Sequence, residues 1–545
     1  MNINHDKYLN EYKAFSWDLP RTFNFGRDVV DDWAARTPDR EALIWCEESG
    51  KEERYTFSDI SRQSNQAANF LRTCGVKKGD RVIVMLPRIP QWQLIMVACT
   101  KLGAVPIPCI DMLTEKDVTY RARHAGATAA VTTSANTGKF TGSGISTRLA
   151  VGIDAAIEPG WLDFNSEVSR ASTTFTCDDT GLDDPAVIYY TSGSTGLPKG
   201  VAHAARALFS WRVSAQFWQE LTEQDLMWCT ADTGWSKAGT SILWGPWSCG
   251  STVLFYNGRF DPADRLLKIE KYGVTVFCGA ATEFRQLINE PGITEPGWRL
   301  RLAVSAGESV NPEVTRRWTE QTGIPLVEAY GQTETLMTVA NQAGSIQKPG
   351  SMGRALPGSE MVAIDEQGDI MPRGAAGQLA LCLPNPQVML GYWNDPELTQ
   401  KTRLTCGSKE YFLTGDMVVI DEEGYIFYQG RTDDIISSAG YRIGPMEVEN
   451  ALMEHPAVME CAVVGSPDPE RGEVVKAFVK LCSGVEGDGA LVLALQDHVK
   501  KTTAPYKYPR LIEFIEGIPK TSTGKLLRRE LRAKEYQQHS DRKPI

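Results

Sequence analysis

Short apolar runs alternate along this chain with longer segments of helical character. Residues 81–86 (RVIVML) are continuously apolar after Arg81, 91–102 have the composition and length of a helix, and 105–108 are short and apolar again. The unit recurs: 274–278 precede a helical segment at 282–289, and 300–304 precede a helix opening at Asn311-Pro312. Asparagine at an N-cap accepts from orphan helix N–H groups, and proline at the first helical position gives up an N–H that would be unpaired anyway. Unbroken apolar strands alternating with helices predict an α/β fold built on parallel sheets, with ligands bound in glycine-containing loops at strand ends. From about Leu379 the texture changes to strand-and-turn segments, 411–420 and 424–430. Beyond the polar stretch 432–434 comes a smaller α+β pattern: helical at 447–454, 491–501 and 526–536, extended at 460–464, 474–481 and 511–515. The expected division is a large N-terminal domain, 1–432, of layered α/β sheets with a small β-rich subdomain. A small α+β domain, 433–545, follows the boundary at Asp433.

Composition narrows the class. A chain of 545 residues that is 42% hydrophobic can bury a large core. A formal net charge of -11 argues against general binding to nucleic acid or to an anionic membrane surface. The 12 cysteines are scattered without C-x-x-C spacing and there are six histidines, so a structural metal is not expected and reduced thiols are. Residues 1–7 are polar, and the most apolar long stretch, 92–112, is interrupted by Lys101, prolines and Asp111. A soluble cytoplasmic protein with no membrane span is expected.

The densest chemistry lies in Thr191, Ser192, Gly193, Ser194, Thr195, Gly196, Leu197, Pro198 and Lys199. Glycines let backbone N–H groups close on an anion, hydroxyls add donors and the lysine adds charge: a phosphate cradle. It is not a Walker A loop, because Lys199 stands three residues beyond Gly196 rather than next to it. An apolar run at 186–190 before it and a helical pattern at 204–216 after it predict strand, loop, helix. A second cluster is Glu328, Ala329, Tyr330, Gly331, Gln332, Thr333, Glu334, with an aromatic face, amide and hydroxyl groups and a hard oxygen ligand. Thr414-Gly415-Asp416 ends a strand, Gly430-Arg431 opens the polar stretch, and 519–525 (PKTSTGK) form another glycine loop ending in Lys525.

These motifs, in this order and at this spacing, resemble the adenylate-forming superfamily over nearly the whole chain, from Ala42 to Leu531. Residues 438–445, 466–473 and 504–510 look like those of the medium-chain acyl-CoA synthetases and their aryl-CoA ligase relatives. The resemblance implies ATP, Mg²⁺ and coenzyme A as cofactors and a small carboxylic acid as substrate. It implies two steps: an acyl-adenylate plus pyrophosphate, then an acyl-CoA plus AMP. It further implies that residues 191–199 hold the β,γ-phosphates, Thr333 the α-phosphate, Tyr330 and its neighbours from Glu328 to Gln332 the adenine, and Asp416 with Arg431 the ribose. Glu334 would hold the metal. Lys525, with Thr195 and Glu334, would carry the catalysis of the first step. Asp433 matches the family's hinge, and Ala439, Gly440, Tyr441, Arg442, Arg471, Tyr508 and Arg510 would lie near coenzyme A. For the acid, Trp235, Lys237, Gly307, Gly331 and Thr333 are the implied pocket. Acetyl-specific relatives carry tryptophan at the position of Gly331, so an acyl group larger than acetate is implied. Straight-chain, branched and aryl acids all remain open, as does whether Trp244, Trp247 and Phe284 line the pocket or the core. His203 is expected to be a packing or pocket-edge residue at a helix start. Two rival readings fit the same fold: loading of a carrier protein, and nucleotide binding without catalysis.

Overall fold

The computed structural model describes residues 3–153, 155–191, 197–291, 293, 297–438, 441–520 and 526–541. Its centre is a nine-stranded sheet in which Glu41–Glu47, Thr252–Asn257, Leu226–Cys229, Val276–Gly279, Leu302–Ala306 and Leu326–Gln332 run parallel in that spatial order. Antiparallel strands close both edges. Side chains alternate between two apolar clusters: Met227, Cys229, Val276, Cys278, Leu302 and Val304 enter one, and Trp228, Phe277 and Ala303 the other. Burial on both faces is why these strands read as unbroken apolar runs. A second, all-parallel sheet of five strands contains Arg81–Met85 and Val105–Pro108, joined by the helix Pro90–Leu102. The α/β expectation holds, and the predicted helix at Asn311-Pro312 forms as drawn, with the Asn311 side chain accepting from the Glu313 N–H.

Trp244, Trp247 and Phe284 are core. All three are 0% exposed. The indole N–H groups of Trp244 and Trp247 donate to the Tyr189 hydroxyl at 3.2 Å and the Ala42 carbonyl at 3.0 Å, and Phe284 packs edge-on against Trp318.

A five-stranded antiparallel sheet between Met361 and Arg431 forms the β-rich layer. Its last strand ends at Arg431, one short turn spans Thr432–Asp434, and the next strand, Ile436–Ser438, belongs to a separate five-stranded sheet. That sheet packs with the helices Pro445–Met453 and Gly489–Thr502 around its own apolar cluster. Among the described residues, no helix is long and apolar enough to cross a membrane.

The helix expected at 204–216 forms as Ala205–Phe217, but it does not follow the phosphate loop directly. Lys199–Ala204 is a strand, paired antiparallel with Pro185–Thr191 so that Thr191 faces Lys199, and the helix begins only at Ala205. The loop therefore closes a hairpin. Lys199–Ala204 also pairs with Gly391–Tyr392 on its other side, which makes it the central strand of a three-stranded sheet.

Candidate active site

The parallel strands ending at Cys229, Gly279, Ala306 and Gln332 bring their carboxyl ends to one edge, where open α/β sheets bind ligands. Three groups of side chains gather around it.

The first centres on Asp416, which is 3% exposed. Its Oδ2 accepts from the Tyr330 hydroxyl at 2.5 Å and from the Gln332 amide at 2.7 Å, and its Oδ1 accepts from Arg431 at 3.1 Å. Gln332 and Arg431 also donate to the Thr414 carbonyl. Strand register brings this about: Asp416 pairs directly with Arg431 across the β-rich sheet. Burial, then the Asp416 charge, holds the Tyr330 phenol far above its ordinary range, so it stays a donor. The motifs read separately at 328–335, 414–416 and 430–431 thus form one hydrogen-bonded unit.

The second joins the phosphate hairpin to the proposed metal residue. The Glu334 carboxylate accepts from the Tyr392 hydroxyl at 2.8 Å, and the Lys199 ammonium lies 5.2 Å from the centre of the Tyr392 ring. Tyr392 was not singled out in the sequence. No local pattern marks it, because its strand partner lies some 190 positions upstream, opposite Val201.

The third fixes Thr333. Its carbonyl sits 2.6 Å from His203 Nε2, and its hydroxyl lies 3.3 Å from that of Ser236. A carbonyl only accepts, so Nε2 carries the proton and Nδ1, buried, has no partner among the described residues. His203 lies inside a strand, not at a helix start, and is 0% exposed. Burial pushes its pKa down to about 4. The folded state then binds fewer protons than the unfolded chain, so this contribution is present above pH 6.5 and is lost as the pH falls toward 4. Burial pushes Glu328 the other way, up to about 7, and its contribution is lost as the pH rises through that value. Comparison with His203→Gln isolates the histidine. The stability advantage of wild type over the variant is expected to shrink by about 2 kcal/mol between pH 7 and pH 5, read by denaturant unfolding at both pH values.

The implied acyl residues approach from the same edge. Trp235 packs half-buried against the main cluster, next to Ser236. The Lys237 ammonium donates to the Gly279 and Ala306 carbonyls at 3.2 and 3.1 Å, tying two strand ends together. Gly307 follows with φ +98, a left-handed conformation that favours glycine. Gly331 has a more specific constraint. A Cβ there would meet the Leu336 carbonyl oxygen at 2.0 Å and the Met337 Cα at 2.8 Å, both backbone atoms of its own hairpin. A larger residue therefore displaces the 328–335 turn before it acts on any acyl group. Gly331→Trp is expected to lower activity roughly tenfold or more with acetate, hexanoate and benzoate alike, measured as AMP formation. Retained acetate activity beside lost longer-acid activity would contradict this.

In the C-terminal layer, Tyr441 stacks on Tyr506 with centroids 4.4 Å apart, and both are exposed. The Tyr508 ring lies 4.5 Å from the Lys500 ammonium and 5.1 Å from the Arg510 guanidinium. The backbone N–H of Arg471 is held by Asp468, and Arg442 pairs through its backbone with Ser437. Asp433 is exposed, and its carbonyl accepts from Arg532. Ser192, Gly193, Ser194, Thr195, Gly196, Ala439, Gly440 and Lys525 lie outside the described residues.

Comparison with known proteins decides the family. The family model described as AMP-binding enzyme matches residues 30–393, and that for the AMP-binding enzyme C-terminal domain matches residues 447–525. The chain belongs to the AMP-binding enzyme family. Within that family, the mitochondrial acyl-coenzyme A synthetase ACSM4 of Mus musculus is 41% identical over 95% of this chain and 91% of its own length. Its counterpart ACSM3 of Pongo abelii is 39% identical over 98% and 93%. The crystal structure of the anthranilate CoA ligase AuaEII in complex with anthranoyl-AMP is 28% identical, with a TM-score of 0.86, over 96% of this chain and 99% of that one. This AMP-binding enzyme is an AMP-forming acyl-CoA synthetase, a ligase that uses ATP and coenzyme A. The cytoplasmic expectation is corrected: the curated acyl-CoA synthetases it matches are named mitochondrial.

Proposed function

We propose that this synthetase activates a medium-chain or aromatic carboxylic acid larger than acetate, and that the residues gathered above do the work. The observation that carries the reading is the Asp416 unit, which locks the 328–335 turn to the β-rich sheet through Tyr330, Gln332 and Arg431. In this reading Asp416 accepts the ribose hydroxyls and the Tyr330 face receives the adenine. His203 holds the Thr333 carbonyl so that the Thr333 hydroxyl can meet the α-phosphate. Lys199 and the hydroxyls of residues 191–195 bind the β,γ-phosphates as charge develops on pyrophosphate. Mg²⁺ fits the donor set, since it takes one or two carboxylates together with phosphate oxygens. Glu334, its Oε1 already oriented by Tyr392, would hold the ion, which neutralises leaving-group charge. Lys525 positions the acid carboxylate against the α-phosphorus, an electrostatic task rather than proton transfer.

We further propose that residues 433–545 form a mobile domain hinged at Asp433. The change of sheet across Thr432–Asp434 and the exposure of Asp433 support a hinge there. After adenylation, Gly440, Tyr441, Arg442, Arg471, Tyr508 and Arg510 would serve coenzyme A. The test is CoA-dependent AMP formation across acetate, butyrate, hexanoate, octanoate, benzoate and phenylacetate. The reading expects kcat/KM to peak at or beyond butyrate or on an aryl acid; a peak at acetate contradicts it, and activity only with a carrier protein favours the rival.

A further inference from the structure

Outside the groups above, one set of contacts bears on the phosphate hairpin from a different layer of the fold. The helix Glu115–Ala125 opens on a capping box between Thr114 and Asp117 and packs beside the hairpin. Tyr120 and His124 stand four residues apart, on one face of it. Their rings stack, with centroids 5.4 Å apart and 22° between planes. The Tyr120 hydroxyl donates to the Pro198 carbonyl at 2.9 Å. His124 Nδ1 lies 2.8 Å from the Tyr190 hydroxyl, and the Arg121 guanidinium lies 5.4 Å from the Tyr190 ring.

Tyr190 stands one residue before Thr191, and Pro198 one before Lys199; Thr191 and Lys199 are the pair that closes the hairpin. One helix face therefore grips both ends of the loop. The far side is closed by the segment that carries Tyr392. The Trp393 N–H donates to the Gly200 carbonyl at 2.7 Å. Asn394, in a left-handed conformation with φ 57, donates its side-chain amide to the His124 carbonyl at 2.8 Å. Helix, hairpin and this segment form a closed ring of contacts around the loop ends.

We infer that Tyr120 and His124 are positioning residues for the pyrophosphate-holding loop: they fix where it leaves and rejoins the hairpin, and so set ATP affinity without touching the nucleotide. This rests on the proposed role of residues 191–199 toward the β,γ-phosphates. It makes a distinction that a merely stabilising role does not. AMP lacks those phosphates, so weakening the anchors should affect ATP and spare AMP.

The experiment measures ATP and AMP affinity by isothermal titration calorimetry on the full chain. Tyr120→Phe keeps the ring stack and removes only the hydroxyl. It is expected to raise the Kd for ATP about fivefold, the scale of one lost hydrogen bond, and to leave the Kd for AMP within about twofold. Tyr190→Phe, which cuts the other anchor, is expected to give the same contrast. Tyr12→Phe serves as a control, because the Tyr12 hydroxyl also donates to a backbone carbonyl, that of Ser359 at 2.8 Å, away from the site. It should change neither affinity. Equal weakening of ATP and AMP, or no weakening of either in both anchor variants, overturns the inference. The readout needs no acid, so an error in acid specificity does not disturb it. A wild type with no affinity for ATP would overturn this inference and the proposed function together.

Discussion

Asp416→Asn is expected to reduce acid-dependent pyrophosphate release by about 100-fold, with a matching loss of ATP affinity. The carboxylate is 3% exposed and receives three donors, one of them the Arg431 guanidinium. Asparagine keeps the shape but sets an NH₂ against a donor on one side and removes the counter-charge of Arg431. Breaking a buried pair costs about 3–5 kcal/mol. The Arg431 side chain is 50% exposed, so water recovers part of that and the lower end applies. At about 1.4 kcal/mol per tenfold, some two decades follow. Tyr330 and Gln332 lose their common acceptor, so the turn that carries Thr333 and Glu334 loosens as well. Calorimetry with ATP and a pyrophosphate-release assay check this. A loss under about fivefold in both would mean that the Asp416 unit is not the nucleotide site.

Lys525→Ala is expected to cost about 100- to 1,000-fold in adenylation, the scale of removing one preorganised donor from developing charge. Thioester formation from a supplied acyl-adenylate should stay within a few-fold of wild type. The lysine belongs to the first step alone if residues 433–545 turn about Asp433 between the two. Separate assays of the half-reactions make the comparison, and equal losses in both would contradict the hinge.

Much of this was legible in the sequence, for identifiable reasons. Strands such as 81–86 are buried on both faces, so their apolar runs declare themselves without reference to partners. The Asn311-Pro312 start carries its own capping chemistry. The phosphate loop, the 328–335 turn, Asp416 and Arg431 are visible as residue types and spacings, and the fold brings the turn and Arg431 within hydrogen-bonding distance of Asp416. What escaped notice depends on pairing between distant segments. Lys199–Ala204, which no local pattern marks as an element, is a strand because Pro185–Thr191 and Gly391–Tyr392 flank it. Tyr392, Tyr120 and His124 belong to no motif, yet they hold Glu334 and both ends of the loop. His203 was visible, but its tautomer and its grip on Thr333 needed the hairpin. The crowding at Gly331 comes from the Leu336 carbonyl across a turn with an irregular register, which no spacing rule shows.

The most direct test of the account follows pyrophosphate and AMP separately, with ATP, Mg²⁺ and a reactive acid such as hexanoate or benzoate, before and after coenzyme A is added. The account predicts acid-dependent release of about one pyrophosphate per enzyme without coenzyme A, followed by AMP release when the thiol is supplied. Pyrophosphate release that ignores the acid, or ADP and phosphate as products, would contradict it.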